Sequence, residues 1–128
     1  MNQKEQYRAL FEPRSIAFIG ASTAVTKWGF NILHHLYRGG FDGVIYPVNP
    51  QGGTWFGREI YKSLAVVPRP VDLAVIVVPK ELVPGTMRDC AAAGIRAAVV
   101  ITAGFSETGP EGAALEQEML AIAGENGI

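Results

Sequence analysis

The chain is poor in cysteine, with Cys90 alone among 128 residues. A single thiol closes no internal disulfide and builds no thiolate metal cluster, which fits a reducing compartment, the cytoplasm. Charge of one sign is also missing: 11 Lys+Arg stand against 12 Asp+Glu, for a formal net charge of -1. That balance gives no electrostatic footprint for nucleic acid or an anionic membrane. No apolar run approaches the roughly 20 residues that span a bilayer, and the opening MNQKEQYRAL has neither a continuous apolar core nor an export cleavage pattern. Internal repeats and low-complexity segments are absent. What remains is 48% hydrophobic and 18% charged, the composition of a folded domain. At this length residues 1–128 fit one domain, which buries roughly two thirds of the surface its unfolded chain exposes without a metal or disulfide.

Four segments read as strands and alternate with helical patterns. Residues 15–21 are a short apolar run ending at glycine, as in a strand covered on both faces. Phe30, Leu33, Leu36 and Tyr37 make a helical stripe within 28–38, stopped by Gly39 and Gly40. Residues 43–48 form the second strand, followed by turn residues Asn49 to Gly53. The stretch 54–70 carries only one expected feature, a one-turn helix over 64–67 capped by Ser63. Residues 71–78, nearly all branched and apolar, predict a central buried strand. The spacing of Val83, Met87, Cys90, Ala91 and Gly94 predicts a helix over 81–93, with Pro84 in its first turn. Residues 97–102 form the fourth strand. A last helix follows, capped by Thr108 with Pro110 and Glu111 in its first turn, and buries Leu115, Met119, Ile122 and Ala123. The expected class is α/β: a Rossmann-like, mostly parallel sheet with helices on both faces and right-handed crossovers. Residues 124–128 read as a loop and the first residue of a fifth strand, so the chain is expected to be the N-terminal part of a longer protein.

Sheets of this kind bind ligands at the carboxyl ends of their strands, where four loops gather. In the first, Gly20 and Ala21 allow close backbone approach, Ser22 and Thr23 offer hydroxyls, and Lys27 stands beside a helix N-terminus. That is the chemistry of a phosphate cradle, or of an ordinary strand-to-helix turn. In the second, Pro47 and Pro50 stiffen the chain around Val48 and Asn49, presenting them to an adenosine or forming a plain turn. Val78 and Pro79 offer an apolar ledge, with Lys80 a solvated cation at a strand end. Thr102, Ala103 and Gly104 are small enough to let an extended ligand pass, or to pack closely.

The dinucleotide fingerprint G-x-G-x-x-G is broken by Ser22 and Val25, and the second strand ends in Asn49 rather than an acidic residue. Both departures argue against NAD. His34 and His35 are adjacent, so on a helix they point about 100° apart and do not share a metal. Cys90 sits on an apolar helical face as a core residue. Asp72 lacks the acidic neighbours of a phospho-acceptor.

The segments SIAFIGAS, YPVNP, VIVVPK and VITAGFSETG, in this order and spacing, resemble the CoA-binding domain of NDP-forming acyl-CoA synthetases. That group includes ADP-forming acetyl-CoA synthetase and the α subunit of succinyl-CoA synthetase, and the resemblance covers nearly the whole chain. It implies CoA as ligand, with Ser22, Thr23 and Lys27 near its phosphates. Asn49, Pro47, Val48 and Pro50 would border the nucleotide, Val78 and Pro79 would pack on it, and Thr102, Ala103 and Gly104 would line the pantetheine path. A bulky residue in place of Gly20 is expected to weaken CoA binding and spare the fold. The resemblance implies no catalytic residue in this chain: the phosphoryl-carrying histidine of those synthetases lies in a domain that would follow, so the partners are downstream ligase domains or a partner subunit. Because a related domain occurs fused to acetyltransferases, a non-catalytic CoA-binding sensor is the alternative reading, and an NAD-dependent oxidoreductase domain a third.

Overall fold

A computed structural model of the chain describes residues 3–20, 43–55, 58–101 and 109–128. In chain order its strands are β1 Ser15–Ile19, β2 Val44–Val48, the two-residue β3 Thr54–Trp55 and β4 Arg58–Glu59, β5 Leu73–Ile76 and β6 Ala97–Val100. Its α-helices are α1 Gln3–Phe11, α2 Val83–Ala92 and α3 Pro110–Asn126. Short branched runs bounded by glycine, proline or asparagine become strands because every second side chain can be buried on each face. Four of them pair in parallel in the order β2-β1-β5-β6, with Ile16 opposite Ile45 and Leu73, and Leu73 opposite Ala97.

Alternation along the strands divides the core in two. Ala17, Ile19, Ala74 and Ile76 face one side, where Val83, Met87 and Cys90 of α2 and Ile122 of α3 cover them. Ile16, Phe18, Leu73 and Val75 face the other, where Ala9 and Leu10 of α1 pack. All residues of β1 and β5 are buried, as expected for interior strands with helices on both faces. At roughly 1.5–3 kcal/mol for each large side chain withdrawn from water, these two layers hold the sheet edge in place.

Several local expectations change. Helix α1 is not among the expected elements; its Ala9 and Leu10 pack on the core, while Tyr7 and Phe11 are exposed. The small β3–β4 hairpin is likewise unannounced, being held by two antiparallel residue pairs. Leu64–Val66 form a 3-10 turn at the expected place, but Ser63 makes no side-chain capping bond. Lys80–Leu82 form a 3-10 turn that leads into α2, with Pro84 in the first helical turn as expected. The cap of α3 is Gly109, at φ +114°, and not Thr108, which lies outside the described residues. That helix also runs on to Asn126, so residues 124–126 are not a loop: Gly127 at φ +71° caps it, and its amide donates to the Ala123 carbonyl. The expected helix over 28–38, with His34 and His35, lies outside the described residues.

Candidate functional site

Parallel strands deliver their carboxyl ends to one edge, and there the ladder continues past the strands. The Gly20 amide donates to the Val48 carbonyl at 2.9 Å, Val77 to Ile19 at 2.8 Å and Ile101 to Ile76 at 2.8 Å. The strand order makes β1 and β5 neighbours although β2 lies between them in sequence. The chain thus goes from β1 to β2 on one side and from β5 to β6 on the other, the strand order that leaves a crevice above the ends of β1 and β5. A cleft of about 840 Å³ occupies that crevice.

Gly20 forms part of its floor for a backbone reason. Its φ is +107°, and a Cβ there would lie 2.0 Å from the Val77 carbonyl oxygen. Only glycine lets β1 turn upward while β5 stays paired beside it. A bulky residue at 20 therefore would not spare the fold, which corrects the sequence expectation.

Asn49 and Pro50 form the β2 side of the cleft. The Asn49 side-chain oxygen accepts from the Gln51 amide at 2.9 Å and its carbonyl accepts from Gly52 at 2.9 Å, locking the turn. Its side-chain nitrogen has no hydrogen-bond partner among the described residues and offers a donor. Pro47, by contrast, is fully buried inside β2 and does not line the cleft. Val78 and Pro79 line the opposite side, beyond β5.

Lys62, which the sequence patterns did not single out, and Ser63, expected only as a helix cap, also line the cleft. They arrive there because the chain after β4 returns alongside β2: Tyr61 donates to the Pro47 carbonyl and accepts from the Asn49 amide, both at 2.8 Å. The missing side chain of Gly52 makes room for the Lys62 stem, whose Cε and Cγ would lie 3.0 and 3.1 Å from a Cβ there. Lys62 is the one cation among the described lining residues; Glu81 and Asp89, at the start and along the face of α2, are the anions. The only local hint of this segment is Ser63 ahead of an apolar turn.

Of the other expected contacts, Ala21, Ser22, Thr23, Lys27, Thr102, Ala103 and Gly104 lie outside the described residues. Asp72 is at the far end of β5, where its carboxylate accepts from the Arg14 amide at 2.7 Å. Cys90 is fully buried in α2, and burial, with Asp89 adding to it, pushes its thiol up to about 12. Such a thiol supplies no thiolate nucleophile at neutral pH. Among the described residues no group of three or more His, Cys, Asp or Glu side chains comes together to hold a metal, and no helix is long and apolar enough to cross a membrane. The described lining thus offers shape, an apolar ledge and a lysine, which are means of binding.

The family described as the CoA binding domain matches residues 14–128. The chain belongs to this family. It is 47% identical, over 94% of its length, to acetate–CoA ligase [ADP-forming] II of Archaeoglobus fulgidus, of which it spans 18%. It is 42% identical, over 94% of the chain, to the alpha subunit of acetate–CoA ligase [ADP-forming] I of Pyrococcus furiosus, spanning 27% of that protein. Among solved structures, a dinucleotide forming acetyl-coenzyme A synthetase 1 of Ca. Korarchaeum cryptofilum, in complex with phosphate and ADP, superposes with a TM-score of 0.89. That match is 41% identical and covers 97% of this chain and 26% of the other. The chain spans about a seventh to a quarter of the length of the curated relatives it matches. The expected Rossmann-like fold and CoA as ligand are both borne out by these matches.

Proposed function

We propose that this CoA-binding domain is the CoA-holding part of an ADP-forming acyl-CoA synthetase, presenting CoA or acyl-CoA to ligase domains or a partner subunit that complete the reaction. The observation that carries the reading is the cleft at the point where the strand order diverges, in a chain that matches only a fraction of the length of such ligases. Within it, Lys62 and the expected Lys27 attract phosphate, Asn49 offers its amide to the nucleotide, and Val48, Val78 and Pro79 give apolar surface to the adenine. Ser22 and Thr23 add hydroxyls to the phosphate end, and Thr102, Ala103 and Gly104 border the arm. Residues 1–128 act as one domain, in the cytoplasm, and without the other parts they do not join an acid to CoA.

Thermal unfolding with CoA, dephospho-CoA, NAD or no ligand at matched ionic strength tests this. A ligand at ~100 times its dissociation constant stabilises the native state by about 2.7 kcal/mol, a shift of several degrees at this size. CoA should raise the midpoint more than NAD does. A folded sample that CoA leaves unshifted would refute the reading.

A further inference from the structure

Glycine in a helix normally has a conformational or packing reason, and Gly85 has neither. It is the third residue of α2, its φ is not positive, and a Cβ built on it would meet no atom of the described residues within 4 Å. Helix propensity favours almost any other residue there. What distinguishes the position is that it lines the cleft, one turn ahead of Asp89 on the same face of α2 and four residues after Glu81. The α2 wall is therefore a gap between two carboxylates, facing a cleft whose described cation, Lys62, belongs to the segment running beside β2. Phosphates are repelled from the α2 wall and drawn toward Lys62. An uncharged chain with amide N–H donors suits the gap, and only if no side chain fills it.

We propose that Gly85 sets the room for the uncharged arm of the ligand, which crosses the first turn of α2 between Glu81 and Asp89. The inference rests on the CoA reading and adds to it a size-determining position. Any side chain at 85 would project into space that the described residues leave vacant, so its penalty should fall on the ligand and not on the fold. Gly124 provides the comparison: it too lies in a helix with no atom of the described residues within 4 Å of a built Cβ, but it does not line the cleft.

The test uses the full chain and the variants Gly85→Ala, Gly85→Leu and Gly124→Ala, with calorimetric titration of CoA and displacement by adenosine 3′,5′-bisphosphate, which has the phosphates and no arm. Both alanine variants should unfold at or above the wild-type midpoint, and Gly124→Ala should bind CoA unchanged. Gly85→Leu should bind CoA at least tenfold more weakly while keeping wild-type affinity for the bisphosphate, with Gly85→Ala between. Wild-type CoA affinity in Gly85→Leu, or equal losses for both ligands, would overturn the inference. Should Gly85→Leu not fold, Gly85→Ala decides by the same comparison. A wild-type chain without CoA affinity would instead sink the functional reading itself, a result that no variant is needed to see.

Discussion

The α-carbon of Gly20 faces the carbonyl of Val77 so closely that a methyl group between them would sit 2.0 Å from the oxygen. The same glycine donates its amide to Val48, so it ties β2, β1 and β5 together at the edge where the cleft opens. Binding-site shape and sheet integrity meet in one residue.

Gly20→Ala should accordingly destabilise the chain by about 3 kcal/mol or more, combining the cost of a positive φ with overpacking against fixed backbone. Urea denaturation followed by circular dichroism measures it. A variant within ~1 kcal/mol of wild type would show that the strand ends separate easily, contrary to the close contact described.

Met87 and Arg88 are neighbours in α2 with opposite surroundings. Met87 is 3% exposed between α2 and the sheet, whereas Arg88 reaches out to Glu118 of α3 at 2.7 Å with both side chains about half exposed. Met87→Ala should cost about 2–5 kcal/mol through lost contact and a residual cavity. Arg88→Ala should cost less than about 1 kcal/mol, because water and salt screen an exposed pair. Thermal melts of the two variants check the order, and a reversal would mean that the α2–α3 packing depends on the ion pair.

The sheet was legible because its strands are dense in branched residues and end at glycine, proline or asparagine, so 15–21, 43–48, 71–78 and 97–102 mark the four parallel strands to within a few residues. From them the carboxyl edge followed, and with it Gly20, Val48, Asn49, Pro50, Val78 and Pro79 at one cleft. Lys62 was not legible, since it reaches the cleft through backbone bonds of Tyr61 to Pro47 and Asn49, and long-range pairing leaves no periodic trace. The end of α3 misled for a related reason. Gly124 looks like a stop, but a helical glycine costs only about 1 kcal/mol, and packing of Ile122 and Ala123 carries the helix past it to Gly127.

Ser15 is the buried polar residue of β1, at the end of the sheet away from the cleft. Its hydroxyl donates to the Pro70 carbonyl and accepts from the Asp72 amide, both at 3.0 Å. Ser15→Ala leaves the carbonyl without that donor, while the Asp72 amide keeps its bond to the Ser15 carbonyl at 3.2 Å. The expected loss is about 1–2 kcal/mol, with CoA affinity unchanged. Reduced affinity in a sample still folded at the assay temperature would show that the two ends of the sheet are coupled.

Cys90 provides the pH dependence. Burial first, and the Asp89 carboxylate second, raise its thiol from 9.0 to about 12. Below about pH 9 the thiol is protonated in both the folded and the unfolded chain, so it contributes no slope there. Between about 9 and about 12 the unfolded chain releases this proton and the folded chain retains it. The unfolded state then binds fewer protons, and stability falls with rising pH by up to ~1.4 kcal/mol per unit. Cys90→Ala should remove this part of the alkaline slope in denaturation series spanning that window. A thiol reagent at about pH 8 should label native Cys90 only as fast as the chain opens, because the sulfur is 0% exposed and protonated. Labelling at the rate of a free thiol peptide, or an alkaline slope identical in the alanine variant, would show that the thiol is not held in the core as described.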